Sequence, residues 1–180
     1  MSSTPDLFTE NDRDISSELE FQFQSLENPQ GELYLRFYLA SGDEFAFPAI
    51  GIAEVTQQSP EQITPIPNAS PLLLGTINLR GKIVWVADLG QFLGDRGNLN
   101  TDRSEIPIIA IEDGEMVLGL AIERLGEMAW LDLEQLKVTH DLTDRIAPFI
   151  QGQWEIIKES PQFVRLLDQV AILRSARWAA

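Results

Sequence analysis

The side chains able to do chemistry in this 180-residue sequence are few, and most of them exclude more than they suggest. His140 is the only histidine and there is no cysteine. Multi-histidine metal sites, a histidine-based triad and a phosphorelay domain with a histidine in reserve are therefore ruled out, as are disulfides, thiolate metal sites and a cysteine nucleophile. His140 lies between Thr139 and Asp141 in a polar stretch, the setting of a surface residue. The carboxylate pairs Asp43 with Glu44, Glu112 with Asp113, and Asp132 with Glu134 are the raw material of acid–base work, since glycoside hydrolysis needs only two. They fall at turns or on solvated faces, where acids mainly keep a chain soluble. Gly75, Gly81, Gly90, Gly94 and Gly97 are too scattered to cradle a nucleotide phosphate. No catalytic residue, metal ligand or cofactor is expected.

Two residue types remain that recognise rather than react. Tryptophans at 85, 130, 154 and 178 serve more often in cores and interfaces than as ligand platforms. Arg80, followed by Gly81, offers five donors in a fixed fork to a carboxylate or to helix carbonyls, beside a glycine that lets a partner backbone approach. By residue type alone such an arginine is ordinary surface, and so is Glu54; a tie between them would be structural.

The elements that must position these residues are mostly strands. Leu33, Leu35, Phe37 and Leu39 alternate with Tyr34, Arg36 and Tyr38, the period of two of a half-buried strand. A turn at Ser41-Gly42-Asp43 leads to a second strand, Phe45 to Val55, with an edge or bulge at Pro48. Pro60, Pro65, Pro67 and Pro71 make the next segment an extended connection. Residues 72–79 and 83–88 then form a hairpin about Arg80-Gly81-Lys82, with Ile77 and Leu79 on one face and Thr76, Asn78 and Arg80 on the other. Trp85 sits on a strand whose opposite face carries Val84 and Val86.

Asp88 is placed to cap a short helix that buries Leu89, Phe92 and Leu93 and ends at Gly94. Residues 95–105 are a polar loop. A second β-rich half follows: strands at 106–112 and 116–127 around an Asp113-Gly114 turn, weaker strands at 130–138 and 154–157, and a firm one at 163–167. Asp168 caps a last helix carrying Val170, Leu173 and Arg177. Asp168, Ile172 and Leu173 repeat the spacing of Asp88, Phe92 and Leu93, which suggests a duplicated architecture.

The charge balance, 28 acidic against 13 basic residues for a net −15, repels phosphate backbones and argues against nucleic acid as a partner. Eight of those acids and one base lie in residues 1–32, read as a flexible acidic tail ahead of a folded domain at 33–177. The first residues are small, polar and acidic, unlike a secretory signal, and no apolar run is long enough to cross a bilayer. A cytoplasmic location is expected.

The run from Ile63 to Ala69, then Leu74-Gly75-Thr76-Ile77-Asn78-Leu79-Arg80-Gly81-Lys82-Ile83-Val84, then Asp88-Leu89 and Leu93-Gly94, resembles the CheW family, the coupling proteins of bacterial chemotaxis. Ile52-Ala53-Glu54-Val55 and the closing Leu166-Leu167-Asp168 to Ile172-Leu173 resemble it too, so the likeness runs from about Leu33 to Arg174. Trp85 departs from it, standing where the family usually has proline, and Ala87 stands where a larger aliphatic residue is common. The resemblance implies a mainly β fold of two five-stranded, SH3-like barrels sharing a hydrophobic core, with short helices. It implies a non-enzymatic adaptor that binds the regulatory domain of a CheA-type histidine kinase with one barrel and holds a chemoreceptor's helical tip in a groove between the barrels. Carried onto this sequence, the partner-binding positions are Glu54, Val55, Asn78, Arg80 and Gly81, to which the exposed-strand reading adds Trp85. The rival expectations are a carboxylate-dependent hydrolase on a β-barrel scaffold and a barrel for single-stranded nucleic acid, which would need a basic, aromatic-lined groove.

Overall fold

The structure, a computed structural model, describes residues 31–156 and 159–179; the acidic segment ahead of residue 31 and Ile157, expected to end a strand, lie outside them. Two antiparallel-rich sheets of five strands each carry the fold. The strands are β1 (Glu32–Tyr38), β2 (Glu44–Pro48), β3 (Ile52–Gln58), β4 (Leu73–Leu79), β5 (Lys82–Asp88), β6 (Ile106–Asp113), β7 (Met116–Ala121), β8 (Arg124–Leu131), β9 (Ile150–Glu155) and β10 (Phe163–Leu167). Two short helices follow strands: α1 (Leu89–Leu93) after β5 and α2 (Gln169–Leu173) after β10.

One sheet has the order β8-β1-β2-β10-β9, the other β3-β6-β7-β5-β4. These are one plan used twice. In the first, the hairpin β1–β2 is flanked by β8 and, in parallel, by β10, which pairs with β9. In the second, the hairpin β6–β7 is flanked by β3 and, in parallel, by β5, which pairs with β4. Each sheet curls toward closure by the same device: the segment after its first edge strand bridges to the other edge, Thr64 to Thr76 in one and Lys137 to Gln153 in the other. A glycine precedes the bridged residue both times, because a Cβ at Gly75 would lie 2.2 Å from the Thr64 carbonyl oxygen and one at Gly152 would lie 2.8 Å from that of Lys137. The duplication expected from two aspartate-capped helices is thus a property of the whole topology. Asp88 Oδ1 accepts from the Gln91 amide and Asp168 Oδ1 from the Ala171 amide, both at 3.1 Å.

Each repeat is divided between the two barrels. The chain lays β1 and β2 in the first barrel, β3 to β7 in the second, and returns for β8 to β10. That division corrects two sequence expectations. The strand expected from Phe45 to Val55 is broken: β2 ends at Pro48, a 3-10 turn spans Ala49–Gly51, and β3 enters the other sheet. Likewise the strand expected from 116 to 127 is two, with the crossing held by the Ile122 amide on the Pro107 carbonyl and the Glu123 amide on the Tyr38 carbonyl. Proline supplies no ladder donor, and a chain changing sheets keeps its apolar alternation while changing partners. Residues 130–138 are strand only to Leu131, after which Asp132 caps the 3-10 turn Leu133–Gln135. The strand expected from 154 begins four residues earlier, at Ile150.

Side-chain alternation sorts the core into three clusters. In β6, Ile106 and Ile108 pack with Ile77, Val84 and Val86 inside the second barrel, while Ile109 and Ile111 face the first. Tyr34, Ala46, Trp154, Val164 and Leu166 fill the first barrel. Burial, then the negative charge and hydrogen bond of Glu32, push the Tyr34 phenol up to about 12, so it stays neutral. The largest cluster lies between the barrels: Leu35, Phe37, Phe45 and Phe47 meet Leu118, Leu120 and both helices. This is the shared core. Among the described residues, no helix is long and apolar enough to cross a membrane.

Candidate functional site

The residues singled out in the sequence gather around the β4–β5 hairpin. Leu79 pairs with Lys82, so Arg80 and Gly81 alone form the turn. Their φ values of +51° and +82° are both left-handed, the geometry that matches the twist of a two-residue hairpin. Asn78 Oδ1 accepts from the Gly81 amide at 2.8 Å and locks the turn. A Cβ added at Gly81 would meet nothing within 4 Å, so the tip is open to an approaching backbone.

Arg80 is 83% exposed, and its Nε lies 3.2 Å from Oε2 of Glu54 on β3, which is 26% exposed. The structural tie weighed from sequence is therefore present. At this exposure it is worth at most about 1 kcal/mol, so its effect is to aim the guanidinium rather than to hold the fold. Asn78, Arg80, Gly81 and Glu54 form one cluster. Val55 does not join it: it follows Glu54 on the strand and so faces the other way, half-exposed and in register with Ile109.

Trp85 belongs to a second patch. Val84 and Val86 are buried as expected, and Trp85 on the opposite face is 39% exposed. It lines an open cavity of about 470 Å³ with Leu73, Met116, Leu118, Leu173 and Trp178. Ile83, 72% exposed, shares the Trp85 face of β5 and sits opposite Asn78, so it joins the charged tip to the apolar groove. Ile83 and Met116 were not singled out in the sequence. The alternation that buries Val84 and Val86 also turns Ile83 outward, and that signal could have found it.

Each carboxylate pair has at least one member whose side chain is engaged in structure. Glu44 is buried in an ion pair with Arg36, whose guanidinium is held more firmly protonated by that bond against the opposing cost of burial. Asp43 lies 3.8 Å from Arg165, and Asp113 is bound by Arg174 at 2.9 Å. Asp132 accepts from the Glu134 amide, and His140 is exposed. Among the described residues, no group of three or more histidines or acids is placed to hold a metal ion. Trp154 is core, its indole N–H donating to the Asp132 carbonyl at 2.8 Å, and it packs edge-on to Tyr34.

With this geometry in hand, the chain can be set beside known proteins. It is 26% identical over 99 residues to the chemotaxis protein CheW of Rhizobium meliloti, a match spanning 55% of this chain and 61% of that protein, less than two thirds of its length. It is 27% identical over 124 residues to the chemotaxis protein CheW of Thermotoga maritima, spanning 68% of this chain and 76% of that one. The solved scaffolding protein TtCheW from Thermoanaerobacter tengcongensis superposes with a TM-score of 0.68 over 82% of this chain and 96% of that chain; at 21% identity the likeness speaks for the two-barrel fold. The family model described as the CheW-like domain matches residues 34–177, from the first core tyrosine to Arg177, and on that match the chain belongs to the CheW-like family.

Proposed function

We propose that this protein couples a chemoreceptor to a CheA-type histidine kinase from the cytoplasmic side of the membrane, binding the receptor's helical tip and the kinase's regulatory domain. It is an adaptor and not an enzyme. The observation that carries the reading is the Arg80–Gly81 tip. A non-glycine residue in the left-handed region costs roughly 1–2 kcal/mol, and a turn needing only to reverse the chain would use Asn-Gly or Gly-Gly. An exposed arginine held there, aimed by Glu54 and beside an open glycine, suits donation to carboxylates or helix carbonyls on a partner.

Ile83, Trp85 and the groove next to them supply the apolar area that such a contact buries, with a polar rim, the usual anatomy of a regulated interface. Signal would pass by unequal affinity for two kinase states, with no chemistry in this chain. Asn78 and Glu54 complete the proposed surface, and Val55, exposed on the other face of β3, would meet a partner at a separate contact.

The test is binding between purified components. Arg80→Glu reverses the charge at the tip and should weaken binding to receptor or kinase at least about tenfold, on the scale of a lost charge-assisted contact. Trp85→Ala should weaken the kinase or receptor contact by a similar factor. Unchanged affinity for both partners in both variants would place the docking surface elsewhere.

A further inference from the structure

Helix α1 is only five residues long, far below the length at which a helix is stable in water by itself. Its last carbonyls have no partner within the helix, and distant arginines supply one. Arg145 Nη2 donates to the Gln91 carbonyl at 2.6 Å and its Nε to that of Phe92 at 3.4 Å. Arg177 Nη1 donates to the same Phe92 carbonyl at 3.3 Å and to the Arg145 carbonyl at 2.6 Å.

Two guanidinium groups thus join the end of α1, which follows the second barrel, to residues 143–149, which lead into β9 of the first: Arg145 directly, and Arg177 by holding the Arg145 and Phe92 carbonyls together. The rings reinforce the join. Arg177 lies over Phe149 at 4.8 Å and over Phe92 at 5.4 Å, and Trp178 stacks on Phe92 with centroids 4.3 Å apart. The Trp178 indole N–H donates to the Ile172 carbonyl at 2.7 Å, which anchors the turn to α2. Gly94, with φ +75°, leaves the space that the Arg145 side chain crosses: a Cβ there would be 2.5 Å from Arg145 Cδ.

The same two segments form two walls of a cleft of about 210 Å³, whose remaining lining, Leu39, Asp43, Phe45 and Arg165, comes from the first barrel. Gly94, Asp95 and Arg96 line one side, and Asp141, Thr143 and Ile146 the other. We infer that the 3-10 turn Ala176–Ala179 is a clasp that keeps Arg145 seated on the end of α1 and so holds these walls together, and that releasing it loosens the cleft while both barrels stay folded. The hydrogen bonds are to backbone carbonyls that water can take over, which lets the clasp release without leaving a buried group unpaired. The strands of either barrel take no part in these bonds. Trp178 also lines the Trp85 groove of the proposed surface, but the clasp is read from wall exchange in the free chain and does not rest on any partner.

Hydrogen exchange on the full chain tests it. The reporting amides are Gly94 and Asp95 on one wall, which bond to the Gln91 and Gly90 carbonyls, and Ala147 and Phe149 on the other, which bond to those of Thr143 and Ile146. In Arg177→Gln these four should exchange about tenfold faster or more, while Ile109 and Leu120 in the barrel ladder keep their wild-type rates. Trp178→Ala leaves the arginine in place, should give the same pattern, and carries the test if the first variant does not fold. Unchanged exchange at the walls, or an equal rise in walls and ladder in both variants, would overturn the clasp.

Discussion

Asp88 shows how one side chain serves structure at an electrostatic cost. It caps α1 through the Gln91 amide, yet burial raises its pKa, an effect that the backbone bonds to Gln91 and Gly90 oppose and the nearby charge of Asp95 reinforces. A carboxyl whose native pKa lies above its unfolded value binds its proton more tightly when folded, so its contribution to stability is greatest at low pH and is lost as pH rises from the ordinary carboxylate range through the raised native value. Asparagine caps as well as aspartate and carries no charge. Asp88→Asn should therefore unfold at the same or a higher temperature than wild type at pH 7, with the gap closing as pH falls below the carboxylate range. A lower melting temperature at pH 7, measured by calorimetry, would mean that the charge itself stabilises the helix end. Arg80 reverses this relation: its cost lies in the backbone, and what it provides is an exposed charge.

Among the elements, barrel closure is the step most exposed to a single substitution. Gly75 has φ +148° and its Cβ direction points into the Thr64 carbonyl at 2.2 Å. Gly75→Ala must push the 60s segment off β4, losing the paired Thr64 and Thr76 hydrogen bonds, for a cost of roughly 3 kcal/mol. Chemical denaturation should show that loss as a lower midpoint, whereas Gly81→Ala, with open space about it, should lose only what its left-handed backbone demands. The elements were largely legible in the sequence because alternation and aspartate caps report local conformation: β1, the β4–β5 hairpin, β10 and α1 stand where residue pattern placed them, and α2 starts at its expected cap but stops at Leu173, leaving Arg177 in a separate 3-10 turn. What pattern did not report is partnership. Residues 45–55 and 116–127 keep an apolar rhythm across a change of sheet, so each read as one strand. The site divided along the same line. Asn78, Arg80 and Gly81 were legible as a turn, but that Glu54 reaches Arg80, and that Trp85 shares a groove with Met116 and Trp178, depends on strands far apart in the chain.

At the scale of the whole molecule, the two barrels are unequal as chain segments although equal in plan. The second, β3 to β7, is one continuous stretch, whereas the first is assembled from both sides of it. A continuous five-stranded barrel invites the thought that it folds alone, but its outer face argues otherwise. Ile109, Ile111, Leu118 and Leu120 are buried against the first barrel's phenylalanines and the helices. Cut free, that face would expose several large side chains, each worth about 1.5–3 kcal/mol of burial, to a domain whose whole stability is of order 5–15 kcal/mol. The intact protein should therefore unfold in one cooperative transition, with tryptophan fluorescence and far-ultraviolet circular dichroism coinciding. A fragment spanning residues 52–123, which retains Trp85 as its only tryptophan, should show no cooperative melt and should recover one when mixed with a chain carrying the remaining strands. A sharp thermal transition in the isolated fragment would make the central cluster an interface between two independent domains; its absence would make the protein a single body, in which any partner at the proposed Arg80 tip would be held rigidly with respect to the first barrel.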